Sequence, residues 1–417
     1  MISDETLRRV MPASMVALLG QLIRWSAWAL VFIIWAAFLQ VYVRMIRLTL
    51  ADPSHSDFTI FYYTARLVAD GLPMYGVSPT RYGVPWVADH LGNLNPPHFQ
   101  LLVLPLGHMS YGAALAVWVL ISLTCLISSV ALIARELKVP FSWPRVWLWG
   151  AFTISSAAFT TVAVTCELTF VLMLPFTLAW RAWRGRRWVA AASWLGACAS
   201  LKLFLLLFVP WLAWRRQWRA LAAFFLCGAA MVAIGVAIFG VGSYGQWLET
   251  LRRVGWWWLP LNASWQGFIS RILSGGPTVA PLVSRPDLVR ALTVAGSAMI
   301  AGLTLIAAAR SRPDDDRTLL LLFGGAILCS PLGWVYYLPL GYGPILGWMG
   351  AGRGWQGLRD LSSAKVGLLA AGLALLYVPH ETTYAGQLSG LASVTIGSAY
   401  FWGVLCLWMT WLTPRPA

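Results

Sequence analysis

Charge is scarce in this chain of 417 residues: only 11% of its side chains are charged, and acids are the rarer kind, 15 Asp and Glu against 30 Lys and Arg. With 59% hydrophobic residues alongside, there is too little polar surface to enclose a soluble globule and too much apolar surface for a disordered chain. Cysteine is also sparse. Its six copies occur singly and mostly inside apolar runs, without a CxxC or Cys/His spacing, which argues against a disulfide framework and a zinc site. The first apolar run lacks a small-residue cleavage site, so it reads as a retained helix and not a signal peptide. No repeat relates the two halves, which weakens a transporter reading. What remains is a polytopic membrane protein, a single domain over 1–417 with apolar content for about twelve spans at roughly 20 residues each.

The net charge of +15 does not indicate a nucleic-acid binder, because the basic residues are mostly Arg in short clusters between apolar runs. Arg8-Arg9, Arg181 to Arg187, Arg215-Arg216-Arg219 and Arg310-Arg312 follow the pattern of cytoplasmic loops, and many of the 26 Trp sit beside them as interfacial anchors. The clearest spans are 25–46, 111–134, 145–164, 168–183, 219–241, 288–309, 364–379 and 396–412. Residues 188–214 carry Arg at both ends yet are too few for two full spans. A short hairpin dipping from the cytoplasmic side, with its apex near Ser200-Leu201-Lys202, keeps every cluster on one side and requires a water-filled cavity around the lysine. Residues 318–349, flanked by Arg317 and Arg353, form a second short pair. Both termini fall inside. Two long outer loops, 47–110 and 242–287, carry amphipathic stretches at 57–71 and 246–258 suited to the membrane surface.

Those loops hold six of the 15 acids: Asp52, Asp57, Asp70, Asp89, Glu249 and Asp287. Asp57 opens an aromatic-rich helix, Ser56-Asp57-Phe58-Thr59-Ile60-Phe61-Tyr62-Tyr63-Thr64-Ala65, where an acid ordinarily serves as a cap. The loop continues to Asn93-Leu94-Asn95-Pro96-Pro97-His98, a rigid turn before another surface helix. Only three lysines exist, and Lys202 lies alone in an apolar stretch, where it needs a partner such as Glu167 or a route to water. No Asp-x-Asp occurs in the outer loops; Asp314-Asp315-Asp316 falls on the cytoplasmic side and reads as a solvated loop. A divalent metal therefore has no evident home, and no cofactor is indicated.

These segments, in this order, resemble glycosyltransferase family 87, polyprenyl-phosphate-sugar-dependent enzymes of the GT-C superfamily. The likeness runs over about residues 50–345. It continues through Gly185-Arg186-Arg187, Gly196 and Leu201-Lys202, then Asn262-Ala263-Ser264 with Gly267 and Arg271, then Ser330-Pro331-Leu332-Gly333-Trp334. Two departures stand out. Cys166-Glu167 replaces a frequent Gly-Gln, and Tyr336-Tyr337 stands where a His is often found.

The resemblance implies an all-α GT-C-like bundle with long extracytoplasmic loops, in which Asp57 matches the first-loop catalytic base. A lone carboxylate suits single displacement with inversion, since a retaining route needs a second nucleophile. The lipid phosphate leaving group needs cations; Lys202, Arg271 and Arg66 are the candidates. Tyr62, Tyr63, Asn95, His98, Glu167, Asn262, Trp334, Tyr336 and Tyr337 are expected around the sugar and acceptor. The implied partners are a polyprenyl-phosphate-linked sugar, mannose or another, a glycan or glycolipid acceptor and membrane lipids, at the outer face of a bacterial inner membrane. The alternative is a transporter or flippase of lipid-linked saccharides, which would place its ionisable groups mid-membrane.

Overall fold

The computed structural model describes residues 13–51, 56–77, 93–140, 142–352, 355–383 and 388–413. Asp52, Asp89, Arg8, Arg9 and Arg353 lie outside the described residues. The described chain is helical, with isolated bridges and no strand. Numbering the α-helices of seven residues or more, the order begins α1 (Ala13–Ala51), α2 (Asp57–Ala69), α3 (Tyr111–Glu136), α4 (Trp143–Ile154), α5 (Ala157–Thr165) and α6 (Thr169–Arg184). It continues with α7 (Trp188–Leu201), α8 (Phe208–Trp214), α9 (Trp218–Phe239), α10 (Val241–Arg252) and α11 (Trp265–Leu273). The last are α12 (Pro286–Ala309), α13 (Asp316–Cys329), α14 (Tyr342–Met349), α15 (Ser363–Leu376) and α16 (Ala399–Leu412).

Five helices among the described residues are long and apolar enough to cross a membrane: most of α1, then α3, α9, α12 and 391–412. A bent pair, α4 and α5, makes a sixth if counted as one span. The structure therefore supplies five or six candidate spans where composition suggested about twelve. Further apolar segments are short: at 1.5 Å per residue, α7 and α15 reach only about 21 Å, against a hydrocarbon core of roughly 30 Å. The segment 145–164, expected as one span, turns by 80° between α4 and α5. Two serines make the break. Ser155 Oγ donates back to the Ala151 carbonyl, and Ser156 caps α5 by accepting the Phe159 N–H.

The core is built from helices that are apolar on every side. α13 buries Leu319 to Leu322, Ile327 and Leu328, and beside it α6 buries Leu172, Met173, Phe176, Trp180 and Trp183. The longest spans instead turn large apolar side chains outward; Trp25 and Phe32 on α1 are each 73% exposed. Such surface suits lipid and not water.

The hairpin over 188–214 is present. α7 ends at Leu201, Lys202 is extended (φ −135°, ψ 93°), and a 3₁₀ turn (Leu203–Leu207) leads into α8. The arms return to one level, because Trp211 lies 6.1 Å from Trp188 and stacks on Trp183 at 4.6 Å between ring centroids. Each arm is about 20 Å long, so Lys202 stands about that far above the tryptophan base. α7 lies close along α9, and Gly196 makes this possible: a Cβ there would meet the Phe224 carbonyl oxygen at 2.1 Å. Gly196→Ala should force the helices apart, lowering stability by about 1–3 kcal/mol. Thermal unfolding in detergent measures it, and an unchanged midpoint would mean the contact is slack.

The basic clusters gather at the hairpin's base. Arg181 bonds Glu136 (3.1 Å), Arg186 bonds Asp314 (2.9 Å), and Arg184 stands 3.8 Å from Asp316. Arg317 holds the carbonyls of Trp411 and Leu412 at 2.7 and 2.8 Å. The acidic run 314–316, expected to be a solvated loop, is corrected here. Asp315 caps α13, and Asp316 is buried, accepting from Trp180 Nε1 at 2.7 Å. At the other end of α3, about 39 Å away by its length, Tyr111 meets Thr59 of α2 at 2.8 Å.

α2 was expected to lie on the membrane surface. Instead Phe58, Phe61, Tyr62, Tyr63, Ala65 and Leu67 are buried against the protein, chiefly against Leu104–His108.

Candidate functional site

Three breaks in the helical order create the site. Ser56 caps α2, accepting the Phe58 N–H, and its hydroxyl donates to the Thr165 carbonyl at 2.8 Å. That bond sets Asp57, the first residue of α2, beside the turn that joins α5 to α6. In this turn Cys166 takes a left-handed conformation (φ 54°), a position that favours glycine. The next residue, Glu167, is directed inward. Trp118 Nε1 donates to the Cys166 carbonyl at 2.8 Å and fixes the turn to α3.

Glu167 is 3% exposed and held through both oxygens. Its Oε2 accepts from the Thr169 N–H at 2.7 Å and the Thr169 hydroxyl at 2.5 Å; Oε1 stands 2.9 Å from Lys202 Nζ. Lys202 also donates to Asn95 Oδ1 at 3.5 Å, and its ammonium lies 5.4 Å from the centre of the Tyr337 ring. The helix break at the apex thus delivers one cation to a cluster drawn from four distant parts of the chain.

The Asp57 carboxylate is half-buried and has no hydrogen bond or ion pair within the described residues. Burial pushes it up from 3.8 to about 7; the Glu167 charge adds to the shift and Lys202 opposes it. A carboxylate with this affinity can both take and hold a proton near neutrality.

Asn95 is organised by its neighbours. Its N–H and its side-chain amide both donate to Asn93 Oδ1 (3.0 and 3.3 Å), and Tyr75 donates to its carbonyl at 2.6 Å. The backbone bond identifies the Asn93 oxygen, so the other atom is the amide nitrogen. That nitrogen is buried and has no partner among the described residues. Asn93 and Thr169 are the site members that the sequence reading missed. Their signals were present as an Asn-x-Asn turn and a Glu-x-Thr helix start.

An aromatic column borders the cluster. Trp256 stacks on Trp334 (5.7 Å) and Trp334 on Tyr336 (5.6 Å); Tyr336 meets Tyr337 edge-on (5.2 Å), and Tyr337 stacks on Phe204 (4.7 Å). The motif segments are joined by pairing. Ala263 N–H donates to the Gly333 carbonyl (2.8 Å) and Val335 N–H to the Leu261 carbonyl (3.0 Å). Asn262, fully buried, accepts from the N–H groups of Ser264 and Gly333 and donates to the carbonyls of Trp257 and Pro331.

Several residues expected at the site are engaged elsewhere. Arg271 is buried, donating to Ser398 Oγ at 2.8 Å, the Leu259 carbonyl at 2.9 Å and the Asn262 carbonyl at 3.1 Å. Arg66 lies nine residues along α2 from Asp57, about 13 Å along its axis. Tyr62 donates to the Met109 carbonyl at 2.7 Å, and Tyr63 packs edge-on against it. His98 is 1% exposed. Tyr244 donates to the Val232 carbonyl (3.1 Å), so it accepts from His98 Nδ1 (3.0 Å), while Nε2 faces Ser200 Oγ (3.3 Å). Burial lowers His98 to about 4, the Ser200 bond opposing, so the ring is neutral at pH 7. It pins the 93–99 turn to the hairpin apex.

Among the described residues, no group of three His, Cys, Asp or Glu is arranged to hold a metal. What the cluster offers is a free carboxylate, a caged ammonium and unpaired amide hydrogens at one locus. That set suits proton abstraction beside an anionic group. No curated protein and no solved structure matches the chain. The sequence model of glycosyltransferase family 87 matches residues 93–331, a stretch that holds Asn93, Asn95, Glu167, Lys202 and Asn262 but not Asp57.

Proposed function

The chain belongs to glycosyltransferase family 87, and from that premise we propose that it transfers a sugar from a polyprenyl-phosphate carrier to a glycan or glycolipid, with inversion. Asp57 is the general base. The acceptor hydroxyl loses its proton to the carboxylate as its oxygen attacks the anomeric carbon, and the sugar–phosphate bond breaks with its electron pair moving to the phosphate oxygen. Lys202 offsets the charge on that oxygen, aided by Asn93 and Asn95. Tyr337, Tyr336 and Trp334 line the approach of sugar and acceptor. A lipid phosphodiester leaves as a monophosphate, less charged than a diphosphate, so a single ammonium with amide donors suffices.

The observation that carries this reading is the unpartnered, half-buried Asp57 carboxylate within electrostatic reach of the Lys202–Glu167 pair. The arginine-rich hairpin base supports a cytoplasmic assignment for that end, and with it the reading of Asp57 as facing outward from a bacterial inner membrane. Cysteines introduced near 57 and 262 should react with an impermeant label applied outside, and those near 185, 217 and 315 should not.

Purified protein offered a panel of polyprenyl-phosphate sugars and glycolipid acceptors tests the proposal. Product from one pairing supports it; transbilayer movement of the donor with no new glycosidic bond supports the flippase alternative.

The base must be ionised, so kcat/KM should fall about tenfold per pH unit below a midpoint near 7. A profile flat from pH 5 to 8 would remove Asp57 from this role.

A further inference from the structure

Glu167 has no part in the sugar-transfer chemistry proposed for Asp57 and Lys202, yet it is the most tightly held carboxylate of the cluster. Its Oε2 is fixed by two bonds from Thr169, so Oε1 cannot swing away from Lys202 without breaking the start of α6. The Lys202 ammonium is saturated: Glu167, Asn95 and Tyr337 occupy its surroundings. A donor phosphate that pairs with Lys202 must therefore displace one of them. Asn95, at 3.5 Å, is the weakest contact and yields first, leaving phosphate and Glu167 to compete for one cation.

The charges in the cluster do not balance. It holds two carboxylates, Asp57 and Glu167, and one ammonium; Cys166 and Tyr337, which also face Asp57, are un-ionised. Any charge that the phosphate draws from Lys202 is charge that Glu167 loses. Its field on Asp57 is then less cancelled.

Resting on the polyprenyl-phosphate donor reading, we infer that Glu167 is a positioning residue that couples phosphate departure to the strength of Asp57 as a base, through its shared hold on Lys202. In the resting site the ion pair keeps Glu167 muted. As the sugar–phosphate bond breaks, the growing phosphate charge pulls on Lys202, and the less cancelled Glu167 charge strengthens the attraction of Asp57 for the acceptor proton. Lys202 keeps its own proton throughout. The two halves of the displacement are thereby linked without direct contact between leaving group and base.

The test compares wild type, Glu167→Gln and Glu167→Asp by two measurements that need no turnover. The infrared carbonyl stretch of protonated Asp57, assigned by its loss in Asp57→Asn, reports the ionisation of the base. It should titrate about one pH unit lower in Glu167→Gln, whereas Glu167→Asp, which keeps the charge, should not fall below wild type. Calorimetric affinity for farnesyl phosphate should rise about tenfold in Glu167→Gln, because the competitor for Lys202 has lost its charge. An unmoved Asp57 midpoint or an unchanged affinity in a folded Glu167→Gln protein overturns the inference and leaves Glu167 a structural partner of the lysine. Should Glu167→Gln not fold, Glu167→Asp decides alone: the shorter side chain cannot keep both Thr169 and Lys202, so the affinity and the Asp57 midpoint should both rise, and an unchanged value of either overturns the coupling. A wild-type protein that binds no polyprenyl phosphate at any pH instead removes the donor reading itself.

Discussion

Asp57→Asn should abolish sugar transfer and at the same time make the protein more stable. The loss comes from removing the base, with a general-base contribution of about 10²–10⁴-fold. The gain comes from linkage. The carboxyl is held at about 7 in the folded protein and ionises near 3.8 when exposed, so the unfolded state releases its proton first. Between those values stability falls as pH rises, and at neutral pH the charged form costs the fold on the order of 1–3 kcal/mol, after discounting three pKa units for partial exposure. Asparagine keeps the shape without the charge. A thermal midpoint a few degrees above wild type at pH 8, with the difference vanishing near pH 4, is the expected pair of results. Retained turnover sinks the role of the residue, and a lowered midpoint sinks its electrostatic description.

Lys202→Met should be the most damaging substitution at the site. It removes the cation proposed to meet the donor phosphate and strands Glu167, 3% exposed, without its counter-charge. Breaking one side of a buried pair costs about 3–5 kcal/mol. The double change Lys202→Met with Glu167→Gln removes both charges and should recover most of that stability without recovering transfer. The two losses are separable in this way: unfolding reports the pair, and farnesyl phosphate affinity reports the phosphate contact. A Lys202→Met protein that binds farnesyl phosphate as wild type does would return the lysine to a structural role.

The helical class, the hairpin and the gathering of arginines at one end were legible because they depend on run length and charge, which sequence displays directly. The apex at Lys202 was legible for the same reason, since a lone lysine in an apolar stretch needs company. Less legible was the 80° turn at Ser155-Ser156, where hydropathy continues unbroken and only two hydroxyls end the helix. The number of spans was not legible, because apolar content does not separate a helix facing lipid from α13, which is apolar from Leu319 onward and buried in protein. Arg271 and His98 illustrate the limit for side chains. Both are polar residues in loops expected to carry chemistry, and both bond to protein groups 100 or more positions away, Ser398 and Tyr244. Such partners cannot be read from local spacing. Asp57 and Glu167 converge through the Ser56 hydroxyl on the Thr165 carbonyl, a contact with no local signature.

The short hairpin also dictates an order of assembly. Neither arm is long enough to partition into a bilayer unaided, and the groove that receives Gly196 is formed by α9, which is synthesised afterwards. During biogenesis the arms must wait at the interface until residue 239 has left the ribosome and the later helix has entered the lipid. Lys202 therefore reaches Glu167 and Asn95 only once α9 is in place, and a chain truncated before α9 would carry the earlier spans in full while lacking a seated ammonium.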